Sequence, residues 1–131
     1  IQKMYNNFKM KKAKISTTVF NNKNGTAEYG KENNVLVEKD YFVEKYDKSR
    51  KDKNLNGVDI GFFLIKKKFL KKFNDKNKNY SFENDILPKA IQLKKLIAHK
   101  TSRQYFSITN LIMLKNFEKV VKSKKLNFIT R

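Results

Sequence analysis

Cysteine is absent from the 131-residue sequence, which excludes disulfides, thiolate metal sites and a cysteine nucleophile. Only four glycines occur, none clustered, so no glycine-rich phosphate loop is present. The single histidine, His99, has neither an acid nor a second histidine at ligand spacing, and a structural role is expected for it. The longest apolar runs, such as Ile60 to Ile65, are too short to span a bilayer, and the first residues carry no apolar signal segment. Together these absences lead us to expect a cytoplasmic protein with no membrane association. Acidic residues are also scarce, 12 Asp and Glu against 31 Lys and Arg, for a net charge of +19. Such an excess ordinarily points to nucleic acid or an anionic membrane. Arginine, which suits bidentate recognition of phosphate and base edges, occurs only at Arg50, Arg103 and Arg131. The lysines travel with many Asn, Ile and Phe, as in an AT-rich coding sequence, which makes nucleic acid the less favoured partner.

What is present suits one globular domain: 39% hydrophobic and 33% charged residues at this length. Met4, Tyr5 and Phe8 make an apolar stripe that predicts a short helix. Ile15 to Phe20 is rich in β-branched residues and predicts a strand covered on both faces, followed by a loop through Asn21 to Gly25. Val35 to Glu38 and Tyr41 to Tyr46 flank Lys39 and Asp40 as a hairpin, and a polar loop covers Ser49 to Asn56. Gly57 to Ile65 is the most apolar stretch and reads as a strand buried on both faces. Lys66 to Phe73 reads as a short amphipathic helix. After a loop over Asp75 to Tyr80, Ser81 caps a turn, with Glu83 and Asp85 near its positive end. Pro88 separates that turn from a helix whose inner face is Ile86, Ala90, Ile91 and Leu93. Extended runs at Leu96 to Lys100 and Gln104 to Thr109 precede a last helix, capped by Asn110 and carrying Leu111, Leu114, Phe117, Val120 and Val121. The expectation is an α/β fold, a mixed sheet with flanking helices, holding about four helices and about six or seven strands. Ile1 in place of Met, and the apolar Leu126 to Ile129 just before Arg131, give both ends the look of cut ends.

Two groups of residues could carry chemistry. Asp47 and Lys48 follow a strand, and Asp59 and Gly61 head the apolar strand after it. Were those strands neighbours in one sheet, their ends would offer a polyol phosphate an ammonium, a carboxylate acceptor and a backbone open to close approach. The plainer alternative is a surface pair at Asp47 and Lys48 and a Gly61 that only relieves crowding. Lys66 to Lys68 with Lys71 and Lys72 form the second group, either a polyanion-binding stripe or the solvent face of a helix. Tyr and Phe fall at core spacing rather than as an exposed stacking platform.

The order of the segments resembles a known family. From Met4 to about Lys122 the chain is similar to the C-terminal half of the sugar-1-phosphate nucleotidyltransferases, with the flavour of the heptose- and mannose-1-phosphate guanylyltransferases. The resemblance is carried in order by MYNNFKMKKAKISTTVF, NNVLVEKDYFVEKYDKS, NGVDIGFFLIKKKFL, YSFENDILPKAI and LIAHKTSRQYFSITNLIMLKNFEKVV. It implies the C-terminal portion of a Rossmann-like, glycosyltransferase-A-like domain, with residues 1–131 as a single partial domain and the nucleotide-binding N-terminal half absent. By the same resemblance Asp47 and Lys48 hold the sugar phosphate, Asp59 and Gly61 line the sugar pocket, and Glu83 supports them. The implied substrates of the complete enzyme are a sugar 1-phosphate and a nucleoside triphosphate, with Mg2+ as its cofactor and none bound by this chain alone. A second chain supplying the missing half is the implied partner. Many members carry Asp-x-Gly-Thr near the end, its Asp completing the magnesium site, where this chain reads Ser107, Ile108, Thr109, Asn110. No activity is expected from the chain alone. The rival expectation is a small basic protein that binds nucleic acid or another polyanion.

Overall fold

Six consecutive residues, Ile15–Phe20, form β1, the middle strand of a three-stranded sheet. The computed structural model describes residues 1–123, so the apolar stretch Leu126 to Ile129 lies outside the described residues. All of β1 except Thr18 is buried, as a strand with cover on both faces requires. It pairs antiparallel with β4 (Val58–Ile65) and parallel with β5 (Leu96–Thr101), so the sheet is mixed. A separate antiparallel hairpin consists of β2 (Val35–Val37) and β3 (Val43–Tyr46). Ahead of β1 lies α1 (Gln2–Met10), which buries Met4 and Phe8, one turn apart. The main core gathers Ile15 and Val19 of β1, the hairpin valines Val35, Val37 and Val43, and Leu87, Ala90 and Leu96. The architecture is thus α/β, with a mixed sheet and helices.

Four expectations need correction. Only Val58 of β4 is buried; Gly61 and Phe62 are exposed and the remainder are half-buried. This strand is a sheet edge, and it bulges in the middle: Thr17 faces Phe63 while Val19 faces Asp59, so Ile60, Gly61 and Phe62 loop out. The predicted helix over Lys66 to Phe73 divides into α2 (Lys67–Leu70) and a 3-10 turn, Lys71–Phe73. Gln104 to Thr109 forms no strand: the Tyr105 ring packs edge-on to Phe20 at 5.2 Å, and the Gln104 amide donates to the Thr26 carbonyl. Among the described residues the strands number five. The last helix, α4 (Leu111–Lys122), buries none of its residues, and Leu111 and Ile112 stand exposed.

Ser81 caps the predicted turn, accepting from the Asn84 N–H, while its own N–H donates to Asp85 Oδ2. The turn, Phe82–Ile86, is wound as a π-helix and runs without a break into α3 (Leu87–Gln92). A prolyl ring clashes with the carbonyl four residues back in a regular helix. The wider π turn, in which the Leu87 N–H reaches the Phe82 carbonyl, makes room for Pro88. Leu87 and Ala90 of α3 are buried, whereas Leu93, just past its end, is exposed and does not join the inner face.

Hairpin and sheet meet at Gly57. Its N–H donates to the Val35 carbonyl at 3.1 Å and its carbonyl accepts from Asn34 and Val35. A Cβ at this position would overlap Val19 Cγ1, on a β-branched side chain with little rotamer freedom. Gly57→Ala is therefore expected to destabilise the fold by about 1–3 kcal/mol through overpacking. Urea denaturation measures this, and an unchanged midpoint would contradict the close approach.

Candidate functional site

The bulge of β4 opens onto a cavity of about 940 Å³. Asp59, Ile60, Gly61, Phe62 and Phe63 supply its strand side; Tyr46, Lys48 and Arg50 enter from the end of β3; Phe82 and Glu83 come from the π turn. The loop after β1 adds Glu28, Tyr29, Glu32 and Asn34, and the irregular segment after β5 adds Tyr105, Phe106 and Ser107.

Asp59 is half-buried in the cavity wall. Its Oδ1 accepts from the Thr17 hydroxyl at 2.6 Å and from the Gly61 N–H at 3.0 Å. Both of these donors go to Oδ1, so Oδ2 has no protein partner among the described residues. Burial pushes the Asp59 carboxyl above the usual range, against the pull of its two donors. Its backbone N–H donates to Asn34 Oδ1 at 2.8 Å, which ties the strand to the hairpin. Gly61 has φ +83°, a left-handed conformation that glycine adopts without penalty, and open space where a Cβ would stand.

Glu83 links the cavity's far wall to β3. It accepts from Lys48 Nζ at 2.6 Å and from the Tyr46 hydroxyl at 3.4 Å. The lysine side chain is 72% exposed, so this pair sits at the mouth of the cavity. Burial, with the nearby Asp59 and Glu83 charges, holds the Tyr46 phenol well above its usual range. Arg50 lies with its guanidinium over the Tyr29 ring at 4.4 Å and donates to the Glu32 carbonyl. Opposite, Tyr105 accepts from the Glu28 N–H at 3.4 Å, and burial raises its phenol too.

Of the four residues singled out from the sequence, Lys48, Asp59 and Gly61 border one cavity. They do so although β3 and β4 belong to different sheets rather than being neighbours. Asp47 stands apart from the cavity. Its Oδ1 accepts from the Ser49 N–H and hydroxyl, and its Oδ2 from the Asp52 N–H, so it shapes the turn after β3. Those Ser49 bonds hold its carboxyl below the usual range. His99, half-buried in β5, has its pKa lowered by burial.

Sequence reasoning did not single out Tyr46, Arg50 or Glu28. A signal existed for Arg50, one of three arginines in a chain that otherwise uses lysine. Tyr46 and Glu28 reach the cavity only through tertiary packing. The cavity thereby collects four acids, Glu28, Glu32, Asp59 and Glu83, against Lys48 and Arg50, in a strongly basic chain. Among the described residues no three His, Cys, Asp or Glu are placed to hold a metal. A carboxylate oxygen without a partner among the described residues, aromatic walls and two cations at the margin can bind a polyhydroxylated ligand that carries an anionic group. A search of protein-family models and a search of curated proteins gave no match to this chain.

Proposed function

We propose that this chain is the sugar-binding portion of a sugar-1-phosphate nucleotidyltransferase. In this reading it recognises the sugar phosphate, and residues outside the chain bind the nucleotide. The observation that carries the reading is Asp59, a carboxylate anchored through Oδ1 with Oδ2 unpartnered among the described residues, beside the glycine bulge of an aromatic-walled cavity. In it Asp59 accepts a sugar hydroxyl, Gly61 lets the ring approach the backbone, and Lys48 and Arg50 attract the phosphate. Glu83 holds the Lys48 ammonium at the mouth until a phosphate competes for it.

Calorimetric titration with a panel of hexose and heptose 1-phosphates tests the proposal. The 1-phosphates should bind, and the same sugars without phosphate should bind at least about 10-fold more weakly, as the loss of a charge-assisted contact implies. Lys48→Ala should remove most of that difference. Equal affinity for phosphorylated and free sugars would overturn the phosphate role, and no binding of any sugar would overturn the reading itself. The chain alone should release no pyrophosphate from a nucleoside triphosphate and a sugar phosphate with magnesium, and turnover would contradict its being only a portion of the enzyme.

A further inference from the structure

The lysines are not spread evenly over the fold. β1 and β5 run parallel and β4 runs against them, so the start of β1, the start of β5 and the end of β4 all lie at one end of the sheet. Lysine occupies each of these places. The Lys66 N–H donates to the Lys14 carbonyl at 2.9 Å, and the Lys14 N–H donates to the Lys95 carbonyl at 2.9 Å. Lys66, Lys14 and Lys95 therefore form one row across all three strands, about 5 Å apart. Lys67 and Lys68 extend it at the start of α2, and Lys14 and Lys66 to Lys68 line a concavity of about 440 Å³ floored by the buried Phe69.

Two further lysines sit where the local geometry favours glycine. α1 and α3 end in the same motif: the Lys12 N–H donates to Lys9 and the Ala13 N–H to Phe8, and likewise Lys94 to Ile91 and Lys95 to Ala90. In that motif the residue just beyond the cap is left-handed and usually glycine. Here the two positions are Lys12, φ +50°, and Lys94, φ +49°. The acids lie elsewhere, for residues 1–27, 60–74 and 86–117 contain no Asp or Glu. The ion pairs among the described residues involve Lys45, Lys48 and Lys78, none of them in this group. Biased codon usage would raise the number of lysines, but it would not gather them at three converging strand ends.

We propose that this lysine-lined end of the sheet binds the phosphodiester backbone of nucleic acid without reading its sequence. A row of point charges fixed by strand spacing complements a linear polyanion. Lysine contacts phosphates without the bidentate geometry that reads bases. The surface is separate from the cavity, which opens at the bulge in the middle of β4 and shares no lining residue with the lysine-lined concavity, so the two can be tested independently.

The test is fluorescence anisotropy of the full chain with labelled mixed-sequence duplex DNA. With about five phosphates engaged, affinity should fall about 500-fold between about 50 mM and about 200 mM monovalent salt. A second, unrelated duplex sequence should bind alike. Lys66→Gln with Lys67→Gln and Lys68→Gln should weaken binding by about 10-fold or more and lower the salt slope by about 3. The pair Lys12→Gly and Lys94→Gly separates binding from folding, because glycine suits both backbone positions and should leave the melting temperature unchanged or raised while weakening binding. A control set on the cavity-end loops, Lys23→Gln, Lys31→Gln and Lys53→Gln, should bind as the parent does. Binding unaltered in the first two variants would overturn the proposal. An equal loss in the control set would overturn it in favour of diffuse net charge, and tighter binding to phosphatidylserine vesicles or polyglutamate would overturn the choice of nucleic acid.

Discussion

Asp59→Ala is expected to weaken sugar-phosphate binding by about 10- to 100-fold, the effect of deleting a hydrogen-bonded charged acceptor. The same change strands the Thr17 hydroxyl, which is 1% exposed and donates to Asp59 Oδ1. Asp59→Asn distinguishes the two consequences. Its amide oxygen can still accept from Thr17 and Gly61, but it offers the ligand an amide in place of an anionic oxygen, so binding falls while the fold holds. The pH dependence of stability then has a definite sign. Because burial raises the Asp59 pKa in the folded state, that state holds the proton more tightly than the unfolded chain does. The contribution of Asp59 is fully present below the unfolded value of about 3.9 and is lost as pH rises through the folded value. Urea midpoints measured from acid to neutral pH should show Asp59→Asn gaining on the parent as pH rises through that window. Parallel curves would contradict the burial argument. Asp47 and Asp52, with lowered values, act in the opposite sense and do so in both proteins, so they cancel in the comparison.

The second large effect is on the scaffold. Leu87 is fully buried at the junction of the π turn and α3, packed in the main core. Leu87→Ala should destabilise the domain by about 2–5 kcal/mol, a transfer loss plus the cavity left behind. Against a net stability of about 5–15 kcal/mol, that is a large fraction. Leu93→Ala, at a leucine that is 45% exposed, should stay within about 0.5 kcal/mol of the parent. Since Phe82 and Glu83 stand on the same turn, Leu87→Ala should also loosen the Glu83 contacts to Lys48 and Tyr46, read as weaker sugar-phosphate binding at temperatures where the variant remains folded. Equal destabilisation by the two alanines would show that α3 does not pack as described.

Local chemistry made much of this legible before folding. β-branched residues marked β1, and Asn110 and Ser81 marked helix starts. What depended on distant packing was not legible. Hydrophobicity alone could not show that β4 is an edge strand, nor that Gln104 to Thr109 is held by Phe20 and Thr26 in place of a sheet partner. Asp47 had the right residue type beside Lys48, but the turn after β3 consumes its carboxylate. The acid-rich cavity and the lysine row were equally hidden, because both are made of residues far apart in sequence and are collected only by the topology.

The central position of β1 also sets a timetable for folding. Both of its hydrogen-bonding partners come later in the chain, and β5 only about 80 residues later, an interval of about 4–16 s at ordinary synthesis rates. Until then a strand destined for nearly complete burial waits on the ribosome with an edge unpaired. Its register with β4 can form first, but the parallel pairing that closes the sheet is the slow, non-local step. A chaperone that holds extended apolar segments would find Ile15 to Phe20 available during that wait, and folding yield should depend more on the rate at which β5 emerges than on the strength of any contact within the first half.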